Sequence, residues 1–65
     1  MVGKVKWFNN EKGFGFISVD NYEDIFVHYS EVRDDGYKTL DSDQKVQFDL
    51  ITTDKGLQAK NVIKL

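Results

Sequence analysis

The stretch KGFGFI combines a lysine with two phenylalanines at alternating positions, a set that can hold a flat, negatively charged group. Lys12 supplies a cation, and Phe14 and Phe16 supply two rings separated by a glycine. Residues two apart leave a β-strand on the same side, so both rings would share one face. If that face points to solvent, the stretch can stack a planar ligand and bind an anion. If it points inward, the rings are ordinary core.

A second stretch, DIFVHY, places Asp24, Phe26 and His28 at the same spacing of two. A carboxylate beside an imidazole can transfer protons, but nothing in the sequence supplies a nucleophile or an oxyanion hole for them. His28 is the only histidine and there is no cysteine, so a metal site lacks its ligands. We therefore predict no catalytic residue, no metal and no cofactor, and we expect the protein not to be an enzyme.

Alternating apolar and polar residues predict five β-strands, over about residues 2–9, 13–19, 24–29, 45–51 and 57–64. Turn signals rich in Asn, Asp and Gly separate them, and no long amphipathic helix is present. Between the third and fourth strands, Ser30 is predicted to cap one short helical turn. Five short strands in 65 residues indicate an all-β fold, a five-stranded antiparallel barrel of OB-like or SH3-like type.

The two faces of the predicted strands differ in how well they could form a core. One face collects apolar, largely β-branched residues: Ile17, Val19, Ile25, Val27, Val46, Phe48 and Leu50. The other face carries three phenylalanines among polar residues: Phe14, Phe16, Ser18, Asp24, Phe26 and His28. Buried polar groups need partners, which makes the second set the poorer core. We therefore expect the three phenylalanines to face solvent.

Exposed rings on adjoining strands form an apolar patch, and such patches usually mark an interaction site. Nucleobases fit this patch best, because every base has a face that stacks on an aromatic ring, at about 1–3 kcal/mol per base. Lysines at the edge of the patch can meet phosphates, and the candidates are Lys6, Lys12, Lys38 and Lys55.

The net charge of −2 disfavours a polyanionic partner, but the distribution of charge softens that objection. Residues 1–19 hold three lysines against one glutamate, whereas residues 20–65 hold six basic and ten acidic residues. Five of the nine aromatic residues fall before residue 23. The rings are therefore concentrated in the basic part of an acidic protein.

With these motifs, the whole chain resembles the bacterial cold-shock proteins and the related domain of Y-box proteins. KGFGFI matches the first ribonucleoprotein motif of that family and IFVHY the second, and KVKWFN, GYKTL and QAKNV are similar to its other landmarks. The resemblance implies one cold-shock domain over residues 1–65, an OB-like barrel that binds single-stranded RNA and DNA, including pyrimidine-rich strands. It also implies an ATP-independent RNA chaperone that keeps transcripts unpaired and regulates transcription or translation, including in the cold-shock response.

Carried over by position, the resemblance implies a set of nucleic-acid-binding residues: Lys6, Trp7, Phe8, Lys12, Phe14, Phe16, Asp24, Phe26, His28, Tyr29, Tyr37, Lys38 and Lys55. The chain departs from the usual family pattern at four positions. Tyr29 and Tyr37 stand where phenylalanine is usual, which still allows stacking. Asp43 stands where a turn often has glycine, and Leu57 replaces a common proline, so both concern loop geometry and stability more than function.

Trp7 and Tyr29 do not fit simple alternation. Strict alternation places Trp7 with Val5 on one face, and Lys6 with Phe8 on the other. A β-bulge or a strong twist near Trp7 would bring Lys6 and Trp7 to the same side, as the family resemblance requires; the alternative is that Trp7 is buried. Tyr29 alternates inward, so half-burial and stacking both remain open for it. Tyr37 lies in a polar loop and is expected to be exposed.

Other classes of protein stay open at this stage. An SH3-like barrel could bind proline-rich peptides with the same aromatic patch, and self-association could cover the patch in a dimer. No apolar run reaches the roughly 20 residues that cross a membrane, and the N-terminus lacks the plan of a signal peptide. We expect a cytoplasmic monomer that does not bind membranes.

Overall fold

The computed structural model describes residues 1–34, 36 and 38–65. Asp35 and Tyr37 lie outside the described residues, and with Tyr37 its predicted binding role. Within the described residues, no helix is long and apolar enough to cross a membrane.

In the described part of the chain, five β-strands form a closed barrel, as the alternation predicts. They are β1 (Val2–Asn9), β2 (Phe14–Ser18), β3 (Ile25–His28), β4 (Lys45–Thr53) and β5 (Gly56–Lys64). The order around the barrel is β1-β2-β3-β5-β4. One 3₁₀ turn, η1 (Tyr29–Glu31), follows β3. All predicted strand ends lie within two residues of those observed. The second and third strands are each one residue shorter at both ends than predicted.

The predicted all-β barrel of five strands is confirmed, and one of its strand pairs is parallel where an antiparallel pair was expected. Four neighbouring pairs are antiparallel, but β3 and β5 run parallel, with Phe26 opposite Gln58. A closed ring of five strands cannot alternate in direction all the way round, because an odd number of members leaves one pair pointing the same way. The barrel closes at that parallel pair.

Among the residues that the structure describes, ten apolar ones form the buried core: Val5, Ile17, Ile25, Val27, Val32, Leu40, Val46, Phe48, Ala59 and Val62. Val19 and Leu50, also predicted to be core, are half-buried and pack against it. Ile17 and Val27 are fully buried while their strand neighbours are not, so each strand has one inner and one outer side. The predicted inner face of β2 and β3 is therefore confirmed.

The 3₁₀ turn begins two residues earlier than predicted, and its cap is His28 rather than Ser30. The Ser30 N–H donates to Nδ1 of His28 at 3.3 Å, because β3 ends at His28 and leaves that ring beside the first turn. An imidazole nitrogen can accept this hydrogen bond as a serine hydroxyl would.

The turn before β4 tests the expectation about Asp43. Asp43 has a φ of +68°, a conformation that glycine adopts most easily, while the Gln44 N–H donates to Asp41 O at 3.2 Å. The Asp43 N–H also donates to Val5 O at 2.7 Å. This turn therefore anchors β1 beside the point where that strand becomes irregular.

Candidate nucleic-acid interface

Four rings from three neighbouring strands lie side by side on the outside of the barrel, and we call this surface the aromatic face: Trp7, Phe14, Phe16 and Phe26. Trp7 of β1 is opposite Phe16 of β2, which is opposite Phe26 of β3. Phe14 lies two residues before Phe16, opposite His28. Strand pairing therefore sets the rings in two adjacent rows.

The rings of the aromatic face support one another. The ring centroids of Trp7 lie 5.4 Å from Phe16 and 5.8 Å from Phe14, and those of Phe26 lie 5.8 Å from Phe16 and 6.0 Å from Phe14. The three phenylalanines are half-buried because they cover each other's edges, and Trp7 is 41% exposed. The rings thus lie outside the core, as predicted, and present a preformed apolar surface.

A bulge in β1 brings Trp7 to this face. Val5 pairs with Ile17 and Trp7 pairs with Phe16, so Lys6 is an extra residue between the two pairs. Val5 is fully buried although it lies only two residues from the exposed Trp7. The predicted bulge is confirmed, and the alternative in which Trp7 is buried is wrong.

Phe8 lies on the other side of β1 from Trp7. It is opposite Gly15, is half-buried and packs against the core. A Cβ on Gly15 would overlap the Trp7 carbonyl oxygen and lie 2.7 Å from the Phe8 Cα. Phe8 therefore supports the aromatic face from below and, unlike the other predicted aromatic residues of β1 and β2, is not part of it.

Two predicted binding residues at the edge of the face contact each other. Lys6 Nζ lies 3.0 Å from Asp24 Oδ2, and both side chains are about half-exposed. Asp24 precedes β3 instead of lying in it, as the longer predicted strand had implied. The cation predicted for a phosphate and the carboxylate predicted for a base edge therefore neutralise each other in the unbound protein.

His28 and Tyr29 extend the face past Phe14. Their ring centroids are 4.5 Å apart, and Tyr29 is 47% exposed because the 3₁₀ turn starts there and ends the strand alternation. Ser30 holds the His28 ring through Nδ1, which lies 2.9 Å from the Ser30 Oγ and accepts from the Ser30 N–H at 3.3 Å. Gly13 has a φ of +78° and leaves room for the Tyr29 ring, which a Cβ would meet.

Lys12 and Lys38 lie beside Tyr29. A cleft of about 260 Å³ at this end of the face is lined by Asn10, Glu11, Lys12, Gly13, Tyr29 and Lys38. Both lysines are exposed. They are placed to meet an anion next to a stacked ring.

Sequence reasoning missed two residues at the other end of the face. Leu57 and Gln58 line a cleft of about 320 Å³ together with Phe16, Phe26 and Lys55. The parallel pairing of β3 with β5 sets Gln58 beside Phe26. Leu57 and Gln58 reach the aromatic face through the pairing of β3 with β5. Strand alternation in the sequence does not identify that pairing.

The arrangement favours a ligand that is flat, repeated and anionic. The surface is open, its rings are spaced as neighbours on one sheet, and cations lie at both ends. A small closed barrel with such a face is the plan of OB-like modules, whose strands 2 and 3 and adjoining loops bind oligonucleotides and oligosaccharides.

Comparisons with known proteins narrow this class. The family model for the 'Cold-shock' DNA-binding domain matches residues 1–65. The chain is 58% identical to cold shock-like protein CspB of Bacillus cereus over 65 residues, which cover 100% of both chains. It is 56% identical to cold shock protein CspD of Bacillus subtilis strain 168 over 63 residues, 97% of this chain and 96% of that one.

A solved structure, Drosophila Unr CSD456, matches with a TM-score of 0.79 and 29% identity, over 98% of this chain and 26% of that longer one. The chain belongs to the cold-shock domain family. Members of this family bind single-stranded nucleic acids and are not enzymes.

Proposed function

We propose that this protein binds single-stranded RNA and DNA by stacking unpaired bases on the aromatic face. The observation that carries the proposal is the cluster of four rings on adjacent strands, with neighbouring centroids 5.4–6.0 Å apart on the outside of the barrel. Each base stacked on such a ring contributes about 1–3 kcal/mol. His28 and Tyr29 continue the stacking surface, and Tyr37 is proposed as a further stacking residue from the family pattern alone.

The polar groups around the aromatic face have separate proposed roles, in phosphate binding and in contacts to base edges. Lys12, Lys38 and Lys55 bind backbone phosphates at its two ends, which fixes the position of the strand without reading its sequence. Asp24 and His28 contact base edges, and Lys6 contributes once a phosphate replaces Asp24 as its partner. Phe8 contributes indirectly, because it packs against the core beneath the strand that carries Trp7.

An RNA-chaperone role follows from binding the unpaired form. Paired bases hide their faces in the stack, so a protein that binds exposed faces shifts a hairpin toward its open form by mass action. The chain has no P-loop pattern, so this melting would be passive and independent of ATP. We propose that the protein acts in this way on transcripts, as a cytoplasmic monomer formed by one domain over residues 1–65, with pyrimidine-rich strands among its ligands.

Trp7 provides a direct test, because it is the only tryptophan and lies in the proposed site. Titration with a short oligothymidine should quench its fluorescence. The double variant Phe14→Ala, Phe26→Ala should weaken binding at least about thirtyfold, since each ring stacks a base. Tyr22→Ala is the matched control, since it removes an exposed ring outside the aromatic face and should leave affinity unchanged.

Folding of each variant is checked by far-ultraviolet circular dichroism. If the wild-type protein shows neither quenching nor binding by calorimetry, the proposed function is wrong, and proline-rich peptides become the next ligands to test. Equal losses in Tyr22→Ala and in the double variant would mean that the aromatic face has no special role.

A further inference from the structure

The basic residues fall into two groups according to their partners. Four of the nine form ion pairs with carboxylates at 2.7–3.7 Å: Lys6, Arg33, Lys60 and Lys64. The other five have no ion pair with a described residue: Lys4, Lys12, Lys38, Lys45 and Lys55. Three of these five surround the aromatic face and are already proposed to bind phosphates. Lys4 and Lys45 remain without an assigned partner.

Lys4 and Lys45 are directly opposite each other on β1 and β4. Both are exposed, and the next residue of each strand, Val5 and Val46, is fully buried, so the two lysines point outward together. Like charges at directly opposed positions of a sheet repel. An anion between the two ammonium groups would attract both and offset their mutual repulsion, so the pair is a candidate anion-binding site.

The lysine pair lies on the same side of the sheet as the aromatic face. Lys4 is also opposite Ser18 of β2, which follows Phe16 by two residues and so shares its outward direction. At about 3.3 Å of rise per residue, Ser18 lies roughly 7 Å beyond Phe16 along the strand. A nucleic-acid strand that leaves the face past Phe16 meets this pair next.

A cleft of about 410 Å³ lies at this position, lined by Val2, Gly3, Lys4, Ser18, Val19, Asp20 and Lys45. Two ammonium groups and a hydroxyl there can donate to a phosphate. Asp20 is the opposing charge, and its carboxylate repels an anion. The cleft still carries a net positive charge, in contrast to the protein as a whole.

We propose that Lys4, Lys45 and Ser18 form an additional phosphate subsite, which holds the backbone of a bound strand beyond the aromatic face. This inference rests on the proposed function and extends it, because it implies a binding surface longer than the rings alone. Strands that reach past Phe16 gain affinity from the subsite, and strands that cover only the rings do not.

The test compares a short oligothymidine of about 4 nucleotides with a long one of about 12, both within the range that one OB-like barrel covers. For the double variant Lys4→Gln, Lys45→Gln, we expect about a three- to tenfold loss of affinity for the long strand and no change for the short one. The long-strand salt slope should become shallower by about 1.4, since each phosphate contact on a single strand contributes about 0.7.

Three further variants separate a local site from a general charge effect. Lys4→Arg, Lys45→Arg should retain the wild-type affinity. Arg33→Gln, Lys64→Gln removes the same net charge from residues that hold carboxylates, and should not distinguish the two strands. Asp20→Asn should strengthen binding of the long strand only.

Two outcomes would overturn the subsite and leave the proposed function intact. One is an equal loss for short and long strands, which indicates a net-charge effect. The other is no loss for either strand in Lys4→Gln, Lys45→Gln while Phe14→Ala, Phe26→Ala still abolishes binding. Absence of binding by the wild-type protein to both strands would instead reject the proposed function itself.

Discussion

At the scale of single residues, the least expected feature is the contact between Lys6 and Asp24. Their 3.0 Å ion pair joins two residues that the sequence assigns separate binding roles. Both side chains are exposed, so the pair itself contributes little to folding stability. Its consequence is for binding, because a phosphate gains the charge of Lys6 only by displacing a carboxylate.

Replacing Asp24 by asparagine should therefore free the Lys6 ammonium group to bind a phosphate. With Lys12, Lys38 and Lys55 as the available phosphate contacts, the expected salt slope is about −2, and in Asp24→Asn it should steepen by about 0.7. Affinity for a short oligothymidine should rise by a few fold at low salt. The measurement is a fluorescence titration of Trp7 at several salt concentrations.

The matched control repeats Asp24→Asn in a Lys6→Gln background, where the slope should not change. A loss of affinity at every salt concentration would contradict this account, and would show that the carboxylate contacts a base edge more strongly than it restrains Lys6.

Single residues were predictable where alternation determined their direction. The outward direction of Phe14, Phe16 and Phe26 follows from their spacing and from the polar residues that share their strand face. Tyr29 was not determined, because its direction depends on where β3 ends. The Lys6–Asp24 pair joins residues 18 apart in sequence across a bulge, and nothing local in the sequence specifies such a contact.

At the scale of elements, the β1–β2 pairing is what builds the aromatic face. Its bulge turns Trp7 outward while Val5 stays in the core, and Gly15 lies under the bulge opposite Phe8. A side chain at Gly15 would collide with backbone, which cannot move aside as the end of a flexible side chain can. The glycine between the two phenylalanines thus permits the close approach of the two strands.

Gly15→Ala should therefore weaken folding and binding together. We expect a loss of about 1–3 kcal/mol in the free energy of unfolding, the usual range for overpacking. We also expect weaker oligothymidine binding, because relief of the clash displaces Trp7. Urea unfolding and Trp7 fluorescence titration measure the two effects.

Gly36→Ala is the matched control for this prediction. A Cβ at Gly36 meets nothing within 4 Å, so stability and binding should stay close to wild type. If Gly15→Ala behaved like this control, the strands could separate slightly without cost, and the bulge would not depend on glycine.

The sequence allowed the strands to be predicted, but not the strand pair that closes the barrel. Alternation gave five strands and the inner face of β2 and β3, because burial of one face imposes a period of two. The parallel pairing of β3 with β5 depends on the path of the chain between β3 and β4, where residues 30–44 show no strand alternation in the sequence. Leu57 and Gln58 were missed for the same reason, since they reach the aromatic face only through that pairing.

At the scale of the whole molecule, the described strand pair with the fewest paired residues is β3 with β5, where the barrel closes. β3 and β5 share a single paired position, Phe26 with Gln58, and one isolated bridge joins Val32 to Val62. Side chains reinforce this seam. Glu31 of η1 accepts from the Asn61 N–H at 3.4 Å and from Lys60 Nζ at 3.3 Å, both on β5.

The charge of Glu31 makes the stability of the contacts between η1 and β5 depend on pH. Partial burial raises the pKa of the Glu31 carboxyl, but the hydrogen bonds from Asn61 and Lys60, with the nearby charges of Lys60 and Arg33, outweigh it and hold the pKa below its ordinary value of 4.5. A group with a lowered folded-state pKa stabilises the fold above its unfolded-state pKa. That stabilisation is lost as the pH falls through the folded-state value.

Glu31→Gln should accordingly destabilise the barrel at neutral pH, and its deficit relative to wild type should shrink as the pH falls below 4.5 and through the lowered pKa. Glu23→Gln, which removes an exposed carboxylate with no ion pair to a described residue, is the control for net charge and should show a smaller effect at neutral pH. Urea unfolding at a series of pH values measures both differences. A deficit of Glu31→Gln that stayed constant into acid would mean that the side chain acts through packing or a neutral hydrogen bond, and that the ionised carboxylate does not hold the closing strands together.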